Sequence, residues 1–234
     1  MSTGLINIGN THTSICGTEF FDLRTIKTEK LLLNNPVKNQ FERFIIASVV
    51  PDASEKIKEQ LNNKEVHFIS ADQIDWVDFS RVDSSTLGAD RVANIVGAHD
   101  KYEDVVVIDC GTCITTELIN NGKFLGGLIM PGRSLQRKAI NLHTGQLPEI
   151  TLQDRLPKIG RNTEEALRVG MDTIPTNGLL AWIENVIFNY FEMKACFTGG
   201  DAPFFMQHAN FEFEEFRNLT LYGLKVFAER KGIL

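Results

Sequence analysis

The chain has 234 residues, enough for one large domain or two small ones, with the 43% hydrophobic and 23% charged content of an ordinary globular protein. A net charge of −6 gives no general attraction to nucleic acid or to an anionic membrane. No apolar run approaches the roughly 20 residues that cross a bilayer. The start MSTGLINIGN lacks the regions of a signal peptide, and four cysteines make no disulfide framework in a chain this long. A cytoplasmic enzyme is therefore expected, binding neither nucleic acid nor membrane.

Taken in order, Gly4 to Ile8 and Thr13 to Cys16 read as a hairpin about Gly9-Asn10-Thr11, with Phe20 to Leu23 a candidate third strand. Asn34-Asn35-Pro36 marks a loop. Phe44 to Val50 is a buried strand stopped by Pro51, and 51–62 is a helix with Ile57 and Leu61 at i, i+4. Val66 to Ser70 is a further strand. His67 within it has no second ligand nearby in sequence and reads as a packing residue.

Asp83 to Leu87 is a polar loop, after which Gly88-Ala89-Asp90-Arg91 opens a helix with Val92, Ile95, Val96 and His99 on one side. Asp90 falls in the first turn, where the helix dipole favours a carboxylate by roughly 0.3–1 kcal/mol. Its functional alternative is to accept a substrate hydroxyl's proton. Arg91 reads either as a surface charge or as a grip on a substrate carboxylate or carbonyl.

The most informative stretch is Val105 to Gly132. Val105 to Ile108 is a β-branched run that suits a strand buried on both faces, ending in Asp109-Cys110-Gly111-Thr112. Ile114 to Ile119 returns, and Asn120-Asn121-Gly122 makes a hairpin turn. Gly126-Gly127 and Pro131-Gly132 supply a second place where backbone can approach a ligand. A carboxylate at a strand end beside a glycine turn with threonines suits a Mg-nucleotide. The segment alone equally describes a β-hairpin with a polar tip. An internal echo favours the first reading: Asn7, Gly9, Asn10 and Thr13 match Asp109, Gly111, Thr112 and Thr115, as two similar half-domains would.

Arg133 to Leu142 reads as a helix, followed by a long loop punctuated at Leu147-Pro148 and Leu156-Pro157. Asn162-Thr163 precedes a helix over 164–171, which makes capping the plain role for that pair. Ile174 to Phe191 is a core helix whose Trp182, Phe188 and Tyr190 pack. Ala195 to Phe197 is a last strand, ending in Thr198-Gly199-Gly200-Asp201-Ala202, and Leu219 to Lys231 closes the chain as a helix. Cys110-Gly111-Thr112-Cys113 is a C-x-x-C, but a redox motif wants a helix after it, and the residues that follow are β-branched.

These motifs together resemble the type III pantothenate kinases of the acetate-and-sugar-kinase, actin and heat-shock-ATPase superfamily. The resemblance runs from Asn7 to Gly223 through Ser48-Val49-Val50-Pro51, Gly88-Ala89-Asp90-Arg91, Asp109-Cys110-Gly111-Thr112, Gly126 to Gly132, Asn162-Thr163, Thr198 to Ala202 and Leu219 to Gly223. It implies an α/β fold of two similar actin-like (ribonuclease H-like) lobes around a nucleotide cleft, divided as 1–104 and 105–234. It implies ATP-dependent phosphorylation of pantothenate, the entry to coenzyme A, by a homodimer using Mg²⁺ and K⁺ or NH₄⁺. Asp90 would be the proton acceptor, and Gly88, Ala89, Asp90 and Arg91 would hold pantothenate. Thr163 would contact it across the dimer. Asn7, Ile8, Gly9, Asn10, Thr11, His12, Thr13 and Ser14 would wrap the ATP phosphates, Thr112 would contact ATP, and Asp109 would belong to the cation site.

The chain departs from the family pattern at Asn7, where aspartate is usual, and at Arg81, where tyrosine is common. Glu117 replaces an aspartate and keeps its charge. Asn7 and Arg81 are what a non-catalytic nucleotide-binding regulator on the same fold would show, whereas Asp90, Arg91, Asp109 and Thr112 speak for catalysis. A kinase of another small hydroxyl compound is the remaining alternative.

Overall fold

The computed structural model describes residues 2–20, 22–33, 40–189 and 193–234. The expected loop at Asn34-Asn35-Pro36 and the last residues of the helix expected over 174–191 lie outside them. The chain clusters into two compact units: Met1–Asp104 with Glu117–Gly126 and Asn218–Leu234, and Val105–Thr116 with Gly127–Arg217. The first break falls at 104/105, but a hairpin over 117–126 and the closing helix group with the first unit.

The first unit is built on a sheet of order β3-β2-β1-β4-β5. Strands β1 (Thr3–Ile8), β2 (His12–Gly17) and β3 (Arg24–Lys27) form an antiparallel meander. The third strand thus begins after Leu23 and not at Phe20. A short helix α1 (Thr28–Leu33), absent from the sequence reading, follows β3. β4 (Arg43–Ser48) and β5 (Glu65–Phe68) run parallel to β1, connected by α2 (Pro51–Gln60), which carries Pro51 in its first turn. Ile6, Ile8, Phe44 and Ile46 from the sheet meet Ala53, Ile57 and Leu61 in one buried cluster. Ile57 and Leu61 face inward together as their i, i+4 spacing requires. His67 is half-buried and pairs with Glu65 at 2.8 Å.

α3 (Ala89–His99) is buried continuously from Val92 to Ala98, more than a one-sided apolar stripe predicts. The reason lies at the other end of the chain. α8 (Leu219–Arg230) crosses α3 at Gly97 and Gly223, where a Cβ on Gly223 would stand 1.8 Å from the carbonyl oxygen of Ala93. Thr220 donates to Asn94 at 2.8 Å in this contact, and Tyr222 donates to Asp100 at 2.6 Å.

The second sheet has the order β11-β10-β6-β7-β8, with β9 on β7. β6 (Val105–Cys110) is fully buried over Val105 to Ile108. β7 (Cys113–Asn120), β8 (Lys123–Gly126) and β9 (Ile129–Pro131) follow it. Helices α4 (Arg133–His143), α5 (Thr163–Arg168), a π-helical turn at Val169–Thr173 and α6 (Ile174–Asn189) precede β10 (Lys194–Thr198). α7 (Ala202–Met206) and β11 (Phe213–Glu215) complete the unit, with β6, β10 and β11 parallel. Among the described residues no helix is long and apolar enough to cross a membrane.

The sequence echo has a structural counterpart. Gly9 N–H donates to the His12 carbonyl at 3.0 Å, and Gly111 N–H donates to the Cys113 carbonyl at 3.0 Å. The second turn is one residue shorter, so beyond the glycine Thr115 corresponds to Ser14 rather than to Thr13.

The α3–α8 contact yields a stability prediction. Gly223→Ala forces two backbones apart and costs at least about 1–3 kcal/mol. Gly178→Ala in α6, where a Cβ meets nothing within 4 Å, gains roughly 0.5–1 kcal/mol. Urea unfolding of the two variants beside the parent checks both signs.

Candidate active site

In the first unit β1 and β4 run parallel with Ile8 opposite Ser48, so their carboxyl ends lie side by side. Val49 N–H donates to the Ile8 carbonyl at 3.1 Å, and a Cβ on Gly88 would touch Val49 Cγ1 at 3.4 Å. These contacts set the start of α3 beside the carboxyl end of β1. Asp90 accepts the Arg91 amide N–H at 2.7 Å. Burial pushes its carboxyl above the ordinary carboxylate range, against the opposing pull of the Arg91 amide and charge. Arg91 donates through Nε to Glu117 at 2.7 Å.

Asn7 lies at the same strand end, and its side-chain oxygen Oδ1 is buried without a hydrogen-bond partner. An unpaired buried amide oxygen costs about 1–3 kcal/mol, and such groups mark positions that a ligand or its water completes. The turn beyond it is held by Thr28, which donates to the Gly9 carbonyl at 2.6 Å and lies 3.1 Å from the Thr13 hydroxyl. Thr28 was not foreseen, because its partners are 15 and 19 residues distant. Ile8 and Thr13 have no exposed surface. Ser14 Oγ lies 3.2 Å from Thr25 Oγ1, while Asn10 and His12 are exposed at the turn.

In the second unit Asp109 ends β6 opposite Thr198 of β10. Gly199 follows with φ +91°, and a Cβ there would stand 2.5 Å from both Asp109 Oδ1 and the Cys110 carbonyl oxygen. Only glycine fits this turn. Gly127 and Gly132, expected to let backbone approach a ligand, instead approach the chain's own backbone: a Cβ on either would lie 1.7 Å from Thr116 O or 2.3 Å from Gly111 O. Gly132 N–H donates to the carbonyl of Thr112 at 3.0 Å, which fixes the Gly111-Thr112 turn.

The same unit holds a buried ionic cluster that the sequence reading missed. Arg133 donates to Asp172 at 3.0 Å and to Asp201 at 3.1 Å, and Arg137 donates to the other oxygen of Asp172 at 2.6 Å. The guanidinium of Arg133 lies 3.3 Å from the centroid of the Phe204 ring. Asp172 is wholly buried and sits in the π-helical turn, a feature common near functional sites. Burial pushes the Asp201 carboxyl up while Arg133 pulls it down. The cluster ties α4 to the Gly199-Gly200-Asp201 turn, so it acts on the residues around Asp109 at second hand.

Thr163 begins α5, exposed, behind the cap made by Asn162 accepting from Glu165 N–H at 2.9 Å. It lines a groove of about 470 Å³ with Gln136, Ile140, Leu147, Leu167 and Met171. Arg81 is exposed in the loop before α3. The redox alternative finds no support: Cys113 opens a strand instead of a helix, and burial raises the Cys110 thiol well above its usual range. Among the described residues no group of three or more histidine, cysteine or acidic side chains forms a metal cage. A Mg²⁺ carried on nucleotide phosphates needs only one or two protein ligands, and the unpaired oxygen of Asn7 suits that lighter role.

The family model of type III pantothenate kinases matches residues 5–187. A type III pantothenate kinase of Kosmotoga olearia is 33% identical, covering 89% of this chain and 82% of its own. One of Bacteroides fragilis is also 33% identical, covering 84% and 85%. In solved structures the fold recurs in a Campylobacter jejuni protein assigned to the Baf family of transcriptional activators. It has a TM-score of 0.65 at 24% identity and covers 99% of this chain and 100% of that one. It recurs also in a Listeria monocytogenes protein assigned as an N-acetylmannosamine kinase, with a TM-score of 0.56 at 12% identity, covering 99% and 100%. These likenesses show that the chain shares its fold with both structures, and the family match over most of the length makes this chain a member of the type III pantothenate kinases.

Proposed function

We propose that the chain transfers the γ-phosphoryl group of ATP to the primary hydroxyl of pantothenate, giving 4′-phosphopantothenate for coenzyme A synthesis. The observation that carries this reading is Asp90. It is a partly buried carboxylate at the start of α3, beside the strand end where Asn7 holds an unpaired oxygen, in a chain of this family.

Phosphoryl transfer passes through a loose transition state, so positioning and charge neutralisation dominate over base strength. Asp90 accepts the hydroxyl proton as the alcohol oxygen bonds to phosphorus and the bond to the departing ADP oxygen breaks. Gly88, Ala89 and Arg91 hold pantothenate, with Arg91 supplying positive charge to its polar groups. Residues 7–14 take the phosphates, chiefly through backbone amides, Asn10, Thr11 and His12, since Ile8 and Thr13 are buried. Thr112 contacts ATP. Mg²⁺ supplies charge neutralisation on the phosphates when bound, with Asn7 as a neutral oxygen ligand to it or to its water. Asp109 holds a monovalent cation, K⁺ or NH₄⁺. The enzyme works as a cytoplasmic homodimer in which Thr163 serves the partner's pantothenate. The exposed Ile129, Leu142 and Ile174 of the second unit supply apolar surface for such a pairing.

A phosphorylation assay with pantothenate and a panel of small alcohols, with and without K⁺, tests the reading; turnover of another alcohol in preference to pantothenate refutes the substrate. Asp90→Asn keeps ATP affinity and lowers kcat by two or more orders of magnitude, the scale of general-base loss; near-normal turnover would remove Asp90 from the mechanism. Because the active form is the carboxylate and its pKa is raised, kcat/KM falls as pH drops through a value above the ordinary aspartate pKa of about 4. That acid limb is absent in Asp90→Asn. Asn7→Asp adds the missing charge and lowers the Mg²⁺ concentration needed for half-maximal rate several-fold, as a magnesium titration of both forms would show.

A further inference from the structure

We propose that Glu117 is a positioning residue for pantothenate recognition: from the β7–β8 hairpin it fixes the Arg91 guanidinium beside Asp90. On this view the hairpin, and not α3 alone, sets how tightly the substrate is held. The inference rests on the reading of Asp90 and Arg91 given above and deepens it.

The geometry is specific. The Glu117 side chain has no exposed surface, and that of Arg91 is only 14% exposed. Arg91 Nε lies 2.7 Å from Glu117 Oε1, and the guanidinium carbon lies 6.0 Å from the ring centroid of Phe124 on β8. A carboxylate at Nε and an aromatic ring nearby together restrict where the guanidinium lies and which way its plane faces. The backbone of the same residue donates to Asp90 Oδ1 at 2.7 Å. Arg91 is therefore the joint between the proton acceptor and the hairpin.

The hairpin is itself anchored on both sides. Asp104 accepts from Asn120 Nδ2 at 2.7 Å and from Asn121 N–H at 2.8 Å. Asp78 donates to the Gly122 carbonyl at 2.9 Å and accepts from Phe124 N–H at 3.0 Å. The rings of Phe79 and Phe124 meet edge to face with centroids 5.9 Å apart. Side chains locked by such support hold a binding group more accurately than a loop does.

Stability alone does not account for the pair. A well-packed apolar pair serves a core as well as a buried ion pair or better, because desolvation offsets the Coulomb gain. What a carboxylate does there that leucine cannot is keep a long, flexible cation in one place and orientation. The hairpin groups by contact with the first unit although it lies in the second half of the sequence, as a hairpin recruited to this site would.

The test compares parent, Glu117→Gln, Glu117→Asp, Arg91→Lys and the Glu117→Gln/Arg91→Lys double variant. Pantothenate and ATP are varied separately in steady-state assays, pantothenate affinity is measured by calorimetry, and thermal unfolding is followed for each. Glu117→Gln is expected to raise the pantothenate KM and Kd tenfold or more while leaving the ATP KM within twofold. Glu117→Asp should show a smaller rise with the same selectivity. The double variant should be no worse than Arg91→Lys, because the two residues act through one contact.

A rise shared equally by both substrates, or a lower melting temperature with unchanged KM values, would make Glu117 a packing residue and overturn the inference. Should Glu117→Gln fail to fold, Glu117→Asp decides on the same criterion. A parent protein that neither binds nor phosphorylates pantothenate overturns the substrate reading and this inference with it. An active parent with an unaffected Glu117 series overturns only the inference.

Discussion

The backbone-to-backbone contact of α3 with α8 is the constraint on which the first unit depends. At Gly97 and Gly223 the two helices come closer than any side chain permits, and the contact buries α3 along nearly its whole length. A helix so held has one freedom left, the position of its first turn. That turn is set by Gly88 packing on Val49, which is itself bonded to the end of β1. Asp90 therefore owes its place in part to a helix crossing at Gly97, about two turns away. Burial at that turn raises its pKa.

Each unit places its glycine turn at the carboxyl end of a central buried strand, and each secures the turn differently. In the first, the neutral hydroxyl of Thr28 donates to the Gly9 carbonyl and is itself paired with the Thr13 hydroxyl. In the second, charge does the work at one remove: Arg133 and Arg137 share Asp172, and Arg133 reaches on to Asp201 beyond Gly199. Buried ions carry a desolvation penalty that their pairing only offsets, so the gain from such a cluster is geometric. The turn beside Asp109 is fixed by groups that need never touch a ligand.

Asn7 illustrates how a departure from a family pattern can be local. Its neighbours in β1 pair with β2 and β4 in unbroken register, so the strand end is built as the fold requires. What changes is one functional group: an amide oxygen, unpaired in the structure, where a carboxylate would carry a full charge. The difference is one of charge, and the strand around it is unaltered.

Local chemistry was legible in the amino-acid order. The β-branched runs at Ile45 and Val107, the glycine turns after Asn7 and Asp109, the Asn-Gly hairpin and the start of α3 at Gly88 all follow from spacing and backbone preference. The resemblance of those motifs in series supplied the family. The positions that read poorly were those whose partners are remote in sequence. Thr28, Asp172 and the Gly97–Gly223 crossing carry no local signal, and Glu117 was legible as a kept charge but not as the partner of Arg91, because a threonine, an acid or a glycine looks the same wherever its partner lies. The glycines at 127 and 132 were read as open to a ligand, yet they face their own backbone, since spacing shows that a backbone can be approached but not by what. The sequence alone thus determined the family and the local turns and strand ends on which the candidate residues sit. Only the tertiary structure decided which far-off groups hold them, because desolvation, close approach and charge pairing are properties of neighbours in space.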